Sequence, residues 1–404
     1  MRVLHIQQYF NEGMGYQENI LPYYQQKLGH DVVLVTSNRS NGFAGQSRIQ
    51  EEKEFIENEF KVNRIGIKGE FKGRFVIFND LYSYIEKEKP DYIFHHSVTS
   101  PSLWTIVKYK KNNPHVFIAT DNHADLNISG KNKIWKKVYY NIYWNNFLKI
   151  CDPFIDVYFG VTPSRCLFLN EELGIDNSKI RLLPIGADVD NSKVNISKES
   201  FLLKYKIGDG NLIITHGGKI TPEKQVDRLI IAFKQLTNPD VRLVLFGDIL
   251  DVKVEELIKS DNRIIYLGWL DRTDTLSVLK YSDIGIWNTQ HTTLLEDCIA
   301  VELPLILRYY GSTCHLIDRT GIFLYEGSVR EIYDKLLFLI NNRNILKEFK
   351  KNAVYLKEEL SYDMIAKESI AYSQDLKFKH THRKFMTDKF SDKLYKYFRV
   401  FNRD

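Results

Sequence analysis

At 404 residues the chain is longer than one ordinary hydrophobic core organises, so two domains are expected. An apolar fraction of 44% against 26% charged is that of a soluble globular chain, and 24 Tyr with 24 Phe point to cores filled by large side chains. The formal charge of +5 is modest, and four cysteines far apart with no CxxC pair argue against both a zinc site and a disulfide framework.

The first residues, MRVLHIQQYF, lack the apolar core of a secretory signal, and no stretch reaches the roughly 18–20 apolar residues that span a bilayer. The expectation is a soluble, intracellular protein of a reducing cytoplasm. RVLHIQ reads as a first strand. A loop bearing Gly13 and Gly15 runs into ILPYYQQKLGH, which has helical spacing, and DVVLVTS makes a second buried strand. Strand, glycine-bearing loop, helix and strand are the opening of a doubly wound α/β fold. The loop is not GxGxxG, so no dinucleotide fingerprint is read and a dehydrogenase is disfavoured. Ligands of such sheets sit at the C-terminal ends of strands, which makes Gly13, Gly15, Tyr16, Gln17 and Glu18 cleft candidates; the plainer alternative is that they shape a turn.

The alternation continues with PDYIFHHS as a strand, SPSLWTIVKYKK as a helix start and HVFIATDNHAD as a strand with a polar end. His123 falls just past that end among Asp121, Asn122 and Asp125. A lone His is usually a packing or surface residue, but one placed there is a functional candidate. His95 and His96 are weaker candidates. DVYFGVT is a further strand, PSRCLFLNEELGI a helix, and KIRLLPIGADVD a last strand with a polar turn. A domain boundary is expected near residues 188–195.

Alternation restarts at residues 211–228, NLIITHGGKITPEKQVDR. An apolar run meets the pair Gly217 and Gly218; Lys219 and Lys224 follow, and then a helical pattern. Glycines let a ligand approach the backbone, a helix start points N–H groups at it, and lysines add charge, which together make an anion-binding device. VRLVLFGD and RIIYLGWL are strands closing on glycines, the second on Gly268, and DIGIWNT ends at Asn288 and Thr289. TTLLEDCIAVELPLILR supplies a helix broken before Pro304 and a buried strand; GIFLYEG is an edge strand, and two helical segments follow. Glu296 and Asp297 lie early in their helix, where acidic residues suit the helix dipole alone or accept the hydroxyls of a ribose. With the two lysines they describe a nucleotide diphosphate site. Two parallel α/β domains joined by a short linker enclose a cleft of the kind ligands favour.

These residues resemble the retaining glycosyltransferases of family 4, the group 1 glycosyl transferases, over roughly the first 375 positions. GGKITPEKQVDRLIIAF is similar to the family element G-R-x-x-x-x-K-G-x-D-x-L-I-x-A-F, with Lys219 at the Arg position, Lys224 at the Lys position and Gln225 in place of Gly. LLPIGADVD resembles the family's linker, YLGWLDRTDTLSVLKYSDIGIW its base-binding region, and LEDCIAVELPLIL its E-A-M-A-x-G-x-P-V-I. Anchored on Pro304, Asp297 takes the second Glu of the family's E-x7-E, expected to bind ribose, with Glu296 one residue early. The first Glu falls at Thr289 and is missing. His123 matches the family His near the transferred sugar, and Gly15 the glycine loop beside the phosphates and acceptor.

The resemblance implies a GT-B fold, two Rossmann-like doubly wound parallel-sheet domains facing across a cleft: residues 1–190 for the acceptor, 191–360 for the nucleotide-sugar donor, and 361–404 as a helix crossing back plus a basic aromatic tail. It implies transfer of a hexose or N-acetylhexosamine, from UDP-sugar by preference, to a glycan or lipid-linked acceptor in bacterial surface-polysaccharide or glycoconjugate synthesis. Lys219, Lys224 and His123 carry the catalytic expectation; Gly15, Gly218, Gly268, Thr289, Glu296 and Asp297 the donor; Tyr16, Gln17 and Asp121 the acceptor side. The lysines stand where other phosphate-handling enzymes use Mg²⁺, so no metal or cofactor is expected. Rival readings are a nucleotide-sugar epimerase on the same scaffold and an inactive partner subunit. From Lys377 to Arg403 nine basic residues interleave with aromatics, which reads as binding to an anionic membrane surface or as a helix packing back. Nucleic acid is disfavoured, because no such module is present.

Overall fold

A computed structural model of the chain describes residues 1–41, 47–71, 73–126, 129 and 132–371. The basic aromatic tail, and with it the membrane reading of that tail, lies outside the described residues. The chain divides into two compact units, residues 1–186 together with 362 onward, and residues 187–361.

In the first unit eight strands form one sheet among the described residues: β1 (Arg2–Gln7), β2 (Asp31–Ser37), β3 (Glu54–Glu57), β4 (Phe60–Ile65), β5 (Tyr92–His95), β6 (Phe117–Asn122), β7 (Val157–Gly160) and β8 (Ile180–Leu182), in the order β8-β7-β6-β5-β1-β2-β4-β3. Every pairing is parallel except β3 with β4. Parallel strands are covered on both faces, which is why they read as apolar runs. The two-residue period decides the side: Val33 and Val35 enter one core, Val32 and Leu34 the other. The helix Tyr362–Ala371 returns to this unit and packs on the helix Gln17–Lys27, with Tyr24 and Tyr362 stacked at 5.6 Å.

The second unit is a six-stranded, all-parallel sheet of β9 (Leu212–Gly217), β10 (Val241–Phe246), β11 (Ile264–Tyr266), β12 (Ile284–Trp287), β13 (Leu305–Arg308) and β14 (Gly321–Leu324), in the order β11-β10-β9-β12-β13-β14. β14 takes the edge, as the sequence pattern predicts. The strand order reverses between β1 and β5 in the first unit and between β9 and β12 in the second. Crevices beyond the strand ends at such switch points are where doubly wound sheets bind ligands.

Candidate active site

All the donor-side candidates except Gly15, which lies in the glycine loop of the first unit, fall in the second unit beyond the C-terminal ends of its strands, around the β9/β12 switch point. β9 ends at Gly217, and Gly218 follows with φ +100°. On the neighbouring strand, Gly247 has φ +104°, and a Cβ there would lie 2.3 Å from the Gly218 carbonyl oxygen. No other residue fits two turns pressed together in this way. The amide of Gly218 donates to Phe246 O (3.1 Å) and that of Gly247 to Gly268 O (2.7 Å), so the ends of β9, β10 and β11 are tied into one glycine-lined rim.

Lys224 closes the short 3-10 turn Pro222–Lys224, and its Nζ lies 3.4 Å from where a Gly218 Cβ would stand. It is half-buried, and burial, with the charge of Lys219, holds its pKa below the usual lysine value. Lys219 is exposed. Among the described residues neither lysine has a carboxylate partner. Two ammonium groups therefore converge on a glycine turn at the start of the helix Val226–Lys234, the arrangement a diphosphate neutralises. Below the turn, His216 Nδ1–H donates to Ile286 O at 2.7 Å; burial and the charge of Lys224 hold its pKa at about 4, so the ring is neutral.

Gln225, at the family's glycine position, adopts the left-handed conformation a glycine would favour, with φ +53°. Its Oε1 accepts from Arg228 (3.2 Å) and Asn288 (3.0 Å), and both donors also reach Gly327 O. The side-chain bonds thus offset the backbone strain and tie the helix start to the end of β12.

The carboxylates lie on the helix Leu294–Ala300. Arg272 grips Asp297 through both oxygens (3.1 and 3.3 Å) and is itself half-exposed. Burial nevertheless raises the Asp297 pKa, with Arg272 opposing. Glu296 is buried and accepts from His291 Nε2 at 2.6 Å, with its Oε2 unpartnered. Thr289 is half-buried in the loop between β12 and this helix.

In the first unit, His123 stands half-exposed just beyond β6. Its Nε2–H donates to Asp121 Oδ2 at 3.3 Å, because a carboxylate can only accept. Asp121 is fully buried, so it holds His123 in place and does not itself face an acceptor. It also accepts from Ser97 N (2.7 Å) and His96 Nδ1 (3.2 Å). Burial alone would raise its pKa, but His123 and His96 outweigh that and hold it well below the usual carboxylate range. The chain of contacts continues inward: His96 Nε2 lies 3.1 Å from His5 Nδ1, and His5 Nε2 lies 2.6 Å from Gln25 Oε1. Gln25 Nε2 donates to Ser369 Oγ at 2.8 Å on the returning helix. Burial pushes His5 down to about 3, so it is neutral. His95 turns the other way, to Ser102 Oγ at 2.7 Å, and stands apart from this chain.

The glycine loop after β1 is tethered by Glu57, whose Oε1 accepts from Gly13 N (2.8 Å) and Asn19 Nδ2 (3.0 Å). Beside it opens a pocket of about 690 Å³ lined by Tyr9, Glu12, Met14, Tyr16, Arg48 and Arg64, among others. Tyr16 is exposed there, whereas Gln17 is buried beneath the helix start. Gly15 has open space around its Cα.

Sequence reasoning missed His5, Gln25, Glu57, Arg64, His216 and Arg272. A signal existed for His216, directly before the glycine pair, and for Arg272, inside the stretch that resembles the family's base-binding region.

The family model described as Glycosyltransferase Family 4 matches residues 23–191, and that of Glycosyl transferases group 1 matches residues 197–354. The chain belongs to this family of glycosyltransferases. A 27% identical stretch of 197 residues is shared with alpha-monoglucosyldiacylglycerol synthase of Acholeplasma laidlawii, covering 44% of this chain and 46% of that protein. The chain thus matches about half the length of that curated relative. Among solved structures, a glycosyltransferase from Rickettsia africae ESF-5 is similar with a TM-score of 0.67 at 17% identity, covering 93% of this chain and 98% of that one. Anabaena HepE in complex with UDP and glucose is similar with a TM-score of 0.65 at 14% identity, covering 93% and 100%. Both likenesses are of fold, and the fold is GT-B. No helix among the described residues is long and apolar enough to cross a membrane.

Proposed function

We propose that this glycosyltransferase moves a hexose or N-acetylhexosamine from a UDP-sugar to a hydroxyl of a glycan or lipid-linked acceptor with retained anomeric configuration, in surface-polysaccharide or glycoconjugate assembly. The observation that carries the reading is the convergence of Lys219 and Lys224 on the Gly218 turn without a carboxylate partner. UDP is favoured because the HepE neighbour was solved with it, and a lipid-borne acceptor because the curated relative is by name a synthase of a glucosyldiacylglycerol.

As the glycosidic C–O bond breaks, negative charge builds on the diphosphate. Lys224, Lys219 and the N–H groups of the helix start stabilise it, and they need no metal to do so. The leaving phosphate takes the acceptor proton on the same face, so no protein nucleophile is named. Ribose hydroxyls are assigned to Asp297, whose present partner Arg272 is half-exposed and easily exchanged; Glu296 is locked inward by His291. His123, held by Asp121, is assigned to the transferred sugar.

A thermal-shift screen of UDP-, GDP- and ADP-sugars tests the donor. A UDP-sugar at a hundredfold over its Kd adds about 2.7 kcal/mol to stability, which raises the melting temperature. A shift with GDP- or ADP-sugars alone rejects the UDP assignment, and no shift with any of them rejects the donor site.

A further inference from the structure

Three adjacent parallel strands of the first unit, β1, β5 and β6, each send a polar side chain to the same face. Val3, Phe94 and Ala119 enter one core cluster there, and two residues further along each chain stand His5, His96 and Asp121. The helix Gln17–Lys27 and the returning helix Tyr362–Ala371 cover that face through Leu21, Tyr24, Ile365 and Ile370. Phe94 closes over the two rings, stacked on His5 at 5.3 Å and tilted against His96 at 4.8 Å. His5, Gln25, His96, Asp121 and Ser369 are each no more than 2% exposed. A polar chain so enclosed has to match its donors and acceptors internally.

The place of each proton follows from which atoms can donate. Asp121 only accepts, from His96 Nδ1 (3.2 Å) and His123 Nε2 (3.3 Å) at Oδ2 and from the Ser97 amide (2.7 Å) at Oδ1. At the far end Ser369 Oγ gives its hydrogen to Ala366 O (2.7 Å), so it accepts from Gln25 Nε2 (2.8 Å). That turns the Gln25 carbonyl oxygen toward His5 Nε2, at 2.6 Å, and puts the His5 proton on Nε2. His5 Nδ1 is left with a lone pair, and the 3.1 Å bond between it and His96 Nε2 is donated by His96. His96 therefore donates from both nitrogens and answers the charge of Asp121 from inside. A buried carboxylate needs such a partner, and with His96 in that place His123 needs only its one proton on Nε2.

We propose that Gln25, His5 and His96 are positioning residues for His123, and that through Asp121 they keep its Nδ1 as a bare lone pair that accepts from a hydroxyl of the transferred sugar. This role rests on the reading that His123 serves that sugar; the three residues act through Asp121 and not on the sugar itself. Removing the Gln25 carbonyl reverses the chain. His5 turns its proton to Nδ1, His96 releases the proton on Nε2 to water, and Asp121 draws its counter-charge from His123, which takes a proton up. That second proton caps Nδ1 and turns an acceptor into a donor.

The test is a long-range proton–nitrogen NMR spectrum of the imidazoles in the full chain, labelled with nitrogen-heavy histidine, at near-neutral pH and without donor. In the wild type His96 shows two protonated nitrogens and His123 shows one, at Nε2. In Gln25→Leu, His96 shows one and His123 two. Gln25→Glu still offers His5 an acceptor and restores the wild-type pattern. Turnover is read as UDP release from saturating UDP-glucose: kcat of Gln25→Leu falls about tenfold, the worth of one hydrogen bond, while calorimetric affinity for UDP, which lacks the sugar, is unchanged. A merely structural Gln25 would lower the melting temperature and leave the His123 pattern as it was. A single protonated nitrogen on wild-type His96 overturns the proposal whether or not the variants fold, and so does a His123 pattern that Gln25→Leu leaves unmoved. A second proton on His123 with kcat unmoved upholds the chain of positioning residues and rejects the assignment of His123 to the sugar.

Discussion

Replacing Lys224 by Ala removes a half-buried ammonium while leaving β9 and the helix Val226–Lys234 intact, because Lys224 closes a three-residue turn and lies outside the core clusters. Its Nζ sits 3.4 Å from the position a Gly218 Cβ would take, so a phosphate seated over that turn comes within hydrogen-bond reach. A full charge pair at about 4 Å in an effective dielectric of about 20 is worth about 4 kcal/mol. If half or more of a charge develops on the leaving phosphate, about 2–4 kcal/mol of transition-state stabilisation is lost, a fall of roughly 30- to 1000-fold in kcat. The assay is the initial rate of UDP release at saturating donor with acceptor present, alongside the melting temperature. kcat and kcat/KM fall together if the contact strengthens in the transition state. Lys219→Ala, whose ammonium is exposed and screened, costs about tenfold. A Lys224→Ala enzyme that folds normally and turns over within about threefold of wild type refutes the diphosphate assignment.

Three further outcomes follow from the geometry. Lys224 has a pKa below the usual lysine value, so UDP affinity weakens at a lower alkaline pH than a free lysine would dictate; Lys224→Arg, charged throughout, removes that dependence in a calorimetric titration. Gln225→Leu leaves Arg228 and Asn288 short of an acceptor while keeping φ +53°, so it costs roughly 1–3 kcal/mol in denaturant unfolding; Gln225→Gly relieves the backbone and costs less. Asp121 is held below the carboxylate range, so its charge stabilises the fold above the unfolded-state pKa of about 4, and that advantage is lost as pH falls through the lower folded value. Asp121→Asn is therefore less stable than wild type at neutral pH, and the two converge in acid. A constant difference down to pH 2 contradicts the His96–Asp121–His123 grouping.

Both parallel sheets were legible as apolar runs because each such strand is buried on two faces, as Leu212–Gly217 and Asp31–Ser37 show. The glycine rim and its lysines were legible because Gly217, Gly218, Lys219 and Lys224 are close in sequence. β3 and β4 were not, since Glu54, Glu57, Lys61 and Arg64 interrupt the apolar pattern of a sheet margin. Long-range partners carry no local signal: Arg272 meets Asp297 from 25 positions away, and His5 meets His96 from 91. Those contacts exist only once the sheet order has brought strand ends together.

The proposed reaction is metal-independent, retaining transfer from a UDP-sugar. Its most direct test is proton NMR of the product formed from an α-linked UDP-hexose and an acceptor in excess EDTA. Steady turnover and a newly formed α-linkage, read from the anomeric coupling, are expected. Loss of activity in EDTA restored by Mg²⁺, or a β-linked product, would contradict it.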